Sequence, residues 1–435
     1  LAGTVSWTNS SGGDWNTATN WSGGAIPGAS DTVYIDLAGS YTISLSGGAT
    51  VSRLELGDGA SGTKTLNLNS GTFVAPNGIV LNADGVLGVG ASVVVQSSVL
   101  NQGSVAFSGD NSSCTSAFTN QGTVEVNRNS QISGVFTNVS GAELIIRHTN
   151  LCCFAKLTLD SGFVNEGTIS FEGDVNRTNF VSELAINNGI LVNASSGVID
   201  FSPARGNSIL RAVLDNQGTV NVSTRPASII ASYANGIYSN SGTVNVQTSN
   251  LTWNLGTGGS LTNTGDITIN AARTLTIQNG SFNYNSGLIS GAGQMAFSSV
   301  SADFAANLPN VATSFTSSIV TGPLLLQQKN ISTNNTTWNA PGWLIADSTA
   351  VSAVANNTFN SVITNQGSFT VLERPNVWNG NFNNEGQLEV QRDQSTMNGA
   401  FTNVSGAELI IRHTNLCCFA KLTLDSGFVN EGTIS

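Results

Sequence analysis

A nine-residue pattern of apolar and polar positions recurs along this chain. The pattern is apolar-x-Asn-x-Gly-x-apolar-x-apolar, as in "FTNQGTVEV" from Phe118 and "FVNEGTISF" from Phe163. After the glycine, apolar residues alternate with polar ones, which is the period of two expected for a strand with one buried face. Successive copies lie roughly 22 residues apart, and a fixed period of that size is typical of solenoid proteins. The pattern therefore predicts repeated units of strand, corner and strand.

Each corner is predicted to depend on its asparagine and its glycine. The glycine supplies a positive φ or permits a close approach of another backbone, and the asparagine tolerates the left-handed region and bonds to its own backbone. Coils that stack as parallel strands would align the asparagines in a hydrogen-bonded ladder. The corner pairs are Asn101 and Gly103, Asn120 and Gly122, Asn165 and Gly167, Asn216 and Gly218, Asn240 and Gly242, Asn263 and Gly265, Asn365 and Gly367, and Asn384 and Gly386.

The expected fold class is all-β, a parallel β-helix (β-solenoid) with rungs of about 22 residues and an atypical amino-terminal cap. A row of β-sandwiches would also contain many short strands, but it needs antiparallel hairpins and a pattern that changes from strand to strand. The same phrase recurs here in the same phase, which favours the solenoid. The predicted regions are a cap over 1–65, a first long repeat over 66–310 and the start of a second over 311–435.

The long repeat is visible as a copied passage. Residues 134–170 recur at 399–435 with a single change, from Val135 to Ala400. At about 22 residues per rung and ~4.8 Å between stacked strands, an offset of about 265 residues would advance about 58 Å along the solenoid axis. Because the sequence stops within the second copy, we expect the chain to be a segment of a longer protein.

The first 65 residues have no counterpart in the second long repeat. Trp7, Trp15 and Trp21 crowd this segment together with Pro27. Terminal units of a solenoid are atypical because they cover an open edge, so the tryptophans are expected to be buried in a cap. The alternative is a sugar-binding platform, since flat indole faces suit pyranose rings.

Composition supports an all-β protein outside the nucleic-acid-binding classes. Only 9% of the residues are charged, against roughly a quarter in ordinary domains. Gly, Ser, Thr and Asn fill the polar positions, and Val, Ile, Leu and Phe fill the apolar ones. The net charge of −11 without a basic stripe argues against nucleic acid or an anionic membrane as a partner. No apolar run is long enough to predict a transmembrane helix.

The recurring phrases "FxNxGTIxF" and "LxNxGTVNV" resemble rungs of right-handed parallel β-helices in secreted bacterial surface proteins, the autotransporter-passenger and filamentous-haemagglutinin-like class. The opening "SWTNSSGGDWNTATNWSGGAIPGASDTVYID" also resembles the start of many such proteins. The resemblance covers about residues 5–435, but its motifs are structural and occur in adhesins, fibres and a few enzymes. It implies a secreted or cell-surface protein that forms fibres by self-association, or an adhesin stalk with a glycan or receptor ligand.

The cysteines are candidates for disulfides or intermolecular crosslinks. They are Cys114, the adjacent Cys152 and Cys153, and the copied Cys417 and Cys418. Strand parity predicts that Cys153 points inward, as a small core residue, and Cys152 outward. Cys152 can then bond to Cys114 or to a neighbouring chain, unless a bulge places it inside. Neighbouring cysteines that point apart do not match a zinc site, and no cofactor site is expected.

Catalysis is not expected from the remaining chemistry. His148 and His413 occupy the same position of the two copies and are predicted to be exposed beside an arginine. The densest acidic cluster is Glu166, Glu172 and Asp174, and a polysaccharide-degrading β-helix enzyme would need such carboxylates close together. The counterpart of Glu166 recurs with the copied rung, which favours architecture over an active site. We therefore expect a structural extracellular protein.

Overall fold

A computed structural model describes residues 3–59, 62–148, 154–173, 180–202, 206–305, 307–373, 375–392, 394–413 and 419–435. It confirms the predicted fold class. Parallel strands stack into a β-solenoid of about 18 turns with about 21 residues per rung. Strands account for 56% of the chain and helix for 1%, so the protein is all-β. The chain divides into two compact units, Leu1–Tyr233 and Ala234–Ser435.

Each regular coil of the first unit contains three short strands separated by corners. One coil is formed by Val94–Gln96, Val99–Asn101 and Ser104–Phe107. Equivalent strands of successive coils pair in parallel and in register, so that Asn101 aligns with Asn120. Residues of the same type therefore stack on one another, which is why the sequence pattern repeats in phase.

The first unit contains two 3-10 helices, Ala18–Asn20 and Ser22–Gly24, and a series of short parallel strands. Its strands are Thr4–Ser6, Gly13–Asp14, Thr32–Ile35, Tyr41–Leu45, Ala49–Thr50, Arg53–Leu56, Lys64–Leu68, Thr72–Val74, Ile79–Leu81, Gly85–Val89, Val94–Gln96, Val99–Asn101, Ser104–Phe107, Ser112–Cys114, Phe118–Asn120, Thr123–Val126, Asn129–Ile132, Phe136–Asn138, Glu143–His148, Phe154–Leu159, Phe163–Asn165, Thr168–Gly173, Val181–Asn193, Val198–Phe201, Asn207–Asn216, Thr219–Val222 and Ala227–Ile230.

The second unit is built in the same way. Its strands are Ile237–Asn240, Thr243–Val246, Leu251–Asn254, Ser260–Asn263, Asp266–Ile269, Thr274–Tyr284, Ile289–Ser290, Gln294–Phe304, Ala312–Thr316, Ile319–Thr321, Leu325–Gln327, Ile331–Asn334, Thr337–Trp338, Gly342–Ile345, Ala350–Ala353, Asn357–Phe359, Val362–Asn365, Ser368–Val371, Asn376–Trp378, Phe382–Asn384, Gln387–Val390, Ser395–Met397, Phe401–Asn403, Glu408–Ile411, Leu422–Leu424, Phe428–Asn430 and Thr433–Ile434.

The core is the interior of the coils, filled by alternate residues of each strand. In Thr123–Val126 the two valines are buried and Thr123 and Glu125 are partly exposed. In the second unit, aromatic rings continue the stacking of the backbone: Trp338 and Trp343 lie 4.0 Å apart at an interplanar angle of 4°. Such contacts add to the burial of apolar surface. Each coil is therefore stabilised mainly by the coils on either side of it.

The amino-terminal segment departs from the regular coil but joins its sheets. Thr4–Ser6 pairs in parallel with Thr32–Ile35, and Gly13–Asp14 pairs with Tyr41–Leu45. In the sequence, the two 3-10 helices lie between strand Gly13–Asp14 and strand Thr32–Ile35. The segment that lacks a counterpart in the second long repeat is thus an irregular coil that shares the sheets of the regular ones.

Candidate functional site

The most extensive polar arrangement of the first unit is a ladder of buried asparagines. The side-chain nitrogen of each donates to the side-chain oxygen of the next, at distances of 2.7–2.8 Å. The second N–H group is also used, as when Asn120 donates to the carbonyl of Glu143 at 3.0 Å. Every ladder residue is fully buried, so the hydrogen bonds satisfy polar groups that water cannot reach. The ladder consists of Asn101, Asn120, Asn138, Asn165, Asn193 and Asn216.

The described part of the second unit contains further arrangements of this kind, including a hydrogen bond of 2.8 Å from Asn357 to Asn376. Asn240 donates to Asn263 at 2.7 Å. A longer series runs from Asn365 through Asn384 and Asn403 to Asn430, with distances of 2.8 Å. Another series is exposed and was not predicted: its amides bond at 2.7–2.8 Å through Asn339, Asn360, Asn379 and Asn398.

The corner glycines are required by close backbone approach. A Cβ atom at Gly122 would overlap the carbonyl oxygen of Gly103 in the preceding coil. The φ angle of Gly122 is outside the left-handed region, and Asn120 has no positive φ either. Of the two reasons proposed for the glycine, the structure supports the approach of the neighbouring coil. A Cβ would meet a carbonyl oxygen of an earlier coil in the same way at Gly103, Gly167, Gly218, Gly265, Gly367 and Gly386, and the oxygen facing Gly265 belongs to Gly242.

The three tryptophans of the amino-terminal segment form a buried cluster. Trp7, Trp15 and Trp21 are at most 2% exposed. Trp21 packs edge-on against Trp7 and Trp15, at 4.9 Å and 4.7 Å, and Trp15 contacts Phe73 at 5.8 Å. None of the three rings presents a face to solvent on which a sugar ring can stack. Their arrangement is that of a hydrophobic core.

Among the cysteines, only Cys114 belongs to the described residues. It is buried and forms no disulfide with another described residue, and its thiol lies 3.7 Å from the carbonyl oxygens of Ser97 and Ser116. Burial raises the pKa of Cys114 to about 11, which leaves little reactive thiolate at neutral pH. Cys152, Cys153, Cys417 and Cys418 lie outside the described residues, and so do their proposed crosslinks.

The prediction of an exposed histidine is wrong for the first copy. His148 is fully buried at the end of strand Glu143–His148, and its ring packs edge-on against Phe180 at 5.5 Å. It shares strand parity with Leu144 and Ile146, both of which point into the core. His413, at the same position of the second copy, is exposed.

The predicted acidic cluster contributes to ion pairs rather than to a pair of adjacent carboxylates. Glu172 contacts Arg147 at 2.6 Å, and the other side of the same guanidinium contacts Glu125 at 2.9 Å. Glu166 is exposed, and Asp174 lies outside the described residues. The second copy retains one of these pairs, in which Arg412 contacts Glu389 at 2.7 Å. Charged residues of neighbouring coils thus neutralise one another along the surface.

The grooves on the surface are shallow and mostly uncharged. One, of about 270 Å³, lies in the first unit and is lined by Asn111, Ser112, Ser113, Asn129, Ser130, Gln131, Lys156 and Thr158. Amides, hydroxyls and one lysine can form hydrogen bonds with a polar ligand. The described residues contain no group of three or more histidine, cysteine or acidic side chains that could hold a metal ion.

Comparison with known proteins does not assign this arrangement to a family. No protein-family model matches the chain, and no curated protein shows a significant match. The ladder and its corners therefore have to be interpreted from their own geometry. No helix among the described segments is both long and apolar enough to cross a bilayer.

Sequence reasoning missed a buried lysine in the first unit. Lys64 is 0% exposed and forms ion pairs with Asp58 at 2.8 Å and Asp84 at 2.5 Å. In strand Lys64–Leu68 it has the same parity as Leu66 and Leu68, which are core residues. That parity was a usable signal, but the two aspartates lie outside the strand and become neighbours only when coils stack.

Proposed function

We propose that this chain is a structural, non-catalytic segment of an extracellular fibre, in which stacked coils provide length. The observation that supports this proposal best is the asparagine ladder, which is built in the same way in both units at 2.7–2.8 Å. A coil in a solenoid contacts only its neighbours, so a copied passage can be inserted without disturbing the rest. A mechanical role depends on such stacking and needs no single site.

The charge pattern is consistent with this role. Ion pairs link one coil to another, as between Arg147 and Glu172, and few charged groups remain to repel a neighbouring chain. Secretion and a location at the cell surface are part of the proposal. They are suggested by the low charge, by the polar surface of Ser, Thr and Asn, and by the resemblance of the rungs to those of secreted surface proteins.

Electron microscopy and fibre diffraction of the purified chain test the proposal. We expect concentration-dependent filaments whose strands stack along the axis at about 4.8 Å, with a longer repeat near 58 Å in native material. Short rods that remain monomeric at every concentration would contradict self-association. Sedimentation velocity over the same concentration range measures the size of the assemblies directly.

The second candidate function is an adhesin stalk that binds carbohydrate. The groove around Gln131 and Lys156 favours it, because amides and hydroxyls from three strands converge there. A glycan array tests this candidate, with a Gln131→Ala variant as the matched control. Glycan binding by the original chain that is lost in the variant would support a ligand-binding role, and an absence of binding at millimolar glycan would reject this groove.

A further inference from the structure

The most unusual chemical group in the molecule is the cluster around Lys64. The lysine nitrogen donates to Asp58 Oδ1 at 2.8 Å, to Asp84 Oδ2 at 2.5 Å and to the carbonyl of Gly62 at 3.3 Å. The other oxygen of Asp84 accepts the backbone N–H of Gly59 at 2.7 Å. The side chains of Asp58 and Asp84 are 31% and 10% exposed, whereas Lys64 is completely enclosed.

The fold fixes the two central partners in adjacent coils. Lys64 begins strand Lys64–Leu68, and its backbone N–H donates to the carbonyl of Asp84 at 3.0 Å. Gly85, the next residue, is the register partner of Lys64. The Asp84 carboxyl is also confined by Gly57, where a Cβ atom would overlap it. The amine and the carboxyl are therefore held together by the pairing of two coils rather than by flexible side chains.

The surroundings of the cluster disfavour charge. Tyr41, the register partner of Lys64 on the other side, is buried, and its hydroxyl has no hydrogen-bond partner among the described residues. Taking an ammonium and a carboxylate out of water has a large desolvation cost, which attraction between them offsets only in part. A second carboxylate leaves the cluster with an excess negative charge. A reaction that converts the pair into neutral products would remove this cost.

We propose that Lys64 and Asp84 form an intramolecular amide that joins two neighbouring coils covalently. The lysine nitrogen attacks Cγ of Asp84, the new C–N bond forms, and one C–O bond of the carboxyl breaks. An ammonium and a carboxylate together contain the atoms of one amide and one water, so no oxidant or other reactant is needed. Asp58 first takes a proton from the ammonium, which frees the lone pair for the attack, and passes it to a carboxyl oxygen of Asp84. It then takes a second proton from the nitrogen once the C–N bond has formed and passes it to the same oxygen, which leaves as water.

Proximity and proton transfer are the two requirements of this reaction. Two groups held in contact by a rigid fold react with an effective concentration far above that in solution. Burial acts to lower the pKa of Lys64, but its hydrogen bonds to Asp58 and Asp84 outweigh burial and raise the pKa overall. The amine therefore starts as an ammonium, which makes a neighbouring proton acceptor necessary. Asp58 is positioned to accept that proton, because its Oδ1 lies 2.8 Å from the lysine nitrogen.

Mass spectrometry of the intact protein tests the proposal. The amide lowers the mass by about 18 Da, one water, relative to the sequence. Trypsin provides a second readout, because Lys64 is the only lysine or arginine between Arg53 and Arg128. With the amide in place, Lys64 resists cleavage and residues 54–128 remain one species. A full sequence mass together with complete cleavage after Lys64 would overturn the proposal and leave an ordinary ion pair.

Three variants identify the participants. Asp84→Ala removes the carboxyl and should restore both the full mass and cleavage after Lys64. Asp58→Asn should retain both reactants but slow the reaction at least tenfold, and an unchanged rate would exclude Asp58 as the proton carrier. Lys156→Met is the control. The Nζ atom of Lys156 lies 3.5 Å from Oε1 of Glu183, but the side chain is 39% exposed. The variant should therefore still show the mass deficit of one water that the amide causes.

Discussion

The two copies of the long passage show the same sequence in two environments. Phe163 is 5% exposed in the first copy, and its counterpart Phe428 is 42% exposed in the second. Leu157 is fully buried, whereas Leu422 is half-buried. In the first copy, Phe154–Leu159 and Phe163–Asn165 both pair with Val181–Asn193 of the following coil, whereas the given sequence stops at Ser435, before the corresponding residues of the second copy. Burial in this fold is therefore decided by the neighbouring coil and not by the residue alone.

The corners behave differently from the core. Asn138 donates to Asn165 at 2.7 Å, and Asn403 donates to Asn430 at 2.8 Å. The hydrogen bond between Glu143 and Ser170 is also repeated, at 3.1 Å in one copy and 3.3 Å in the other. Corner geometry therefore forms against the preceding coil. The following coil is needed only to complete the hydrophobic interior.

The largest contrast is expected from removing a ring. Phe163→Ala should destabilise the first unit by about 3–5 kcal/mol, because it leaves a cavity in a covered core. In a protein that ends at Ser435, Phe428→Ala should cost about 1–2 kcal/mol, since much of that ring is then in water. Guanidinium denaturation, monitored by hydrogen exchange, compares the loss of unfolding free energy in the two variants. Equal losses would show that the second copy is covered in solution.

Asparagine substitutions test the ladder in the same pair of positions. Asn165→Ala should cost about 2–4 kcal/mol, because it leaves the amide of Asn138 and the carbonyl oxygen of Gly167 without their partner. Asn430→Ala should cost less than about 1 kcal/mol, since water can replace the exposed amide. Hydrogen exchange at the flanking strands measures both. A larger loss at Asn430 than at Asn165 would contradict the role of burial.

The corner glycines give a smaller and more nearly equal contrast. Gly167→Ala places a Cβ against the carbonyl oxygen of Ala142, and Gly432→Ala places one against that of Ala407. We expect Gly167→Ala to lower the free energy of unfolding by about 1–3 kcal/mol. Gly432→Ala should lower it by less, because strand Thr433–Ile434 can shift. The same overlap should make Gly122→Val destabilising, and unchanged thermal stability of that variant would refute the close-approach explanation.

The smallest expected effect concerns acid. Burial acts to raise the pKa of Glu389, but its hydrogen bond with Arg412 and a second with Gln391 lower it below its ordinary value of 4.5. The folded form therefore gains stability from this carboxylate at neutral pH and loses it as the pH falls below that value. Glu389→Gln should flatten the acid side of the stability profile. An identical profile in the variant would show that the pair contributes nothing.

Much of the architecture was predictable because it repeats. The spacing of Asn120 and Gly122 from the next corner predicted coils and a ladder, since equal spacing places equal residues in register. What could not be predicted were contacts between coils that differ. His148 looked like a surface residue until Phe180 was seen to cover it. Lys64 meets Asp84 only after Lys64–Leu68 and Gly85–Val89 have paired, and no local pattern marks that encounter.

The ladders have a direction. In the buried Asn101 and Asn365 series each linking amide donates toward the later coil, whereas the exposed series from Asn339 to Asn398 donates toward the earlier one. The first amide of each buried series has an oxygen without a partner among the described residues, above Leu81 and Ile345 respectively. The last completed coil of a buried series therefore offers an unused side-chain N–H donor to the coil that follows. On the preceding side, the first asparagine of each series meets an apolar side chain that cannot form a hydrogen bond. Hydrogen bonding of this kind acts as a one-way template. Folding can follow the order in which the chain is synthesised or exported, with each finished coil selecting the register of its successor.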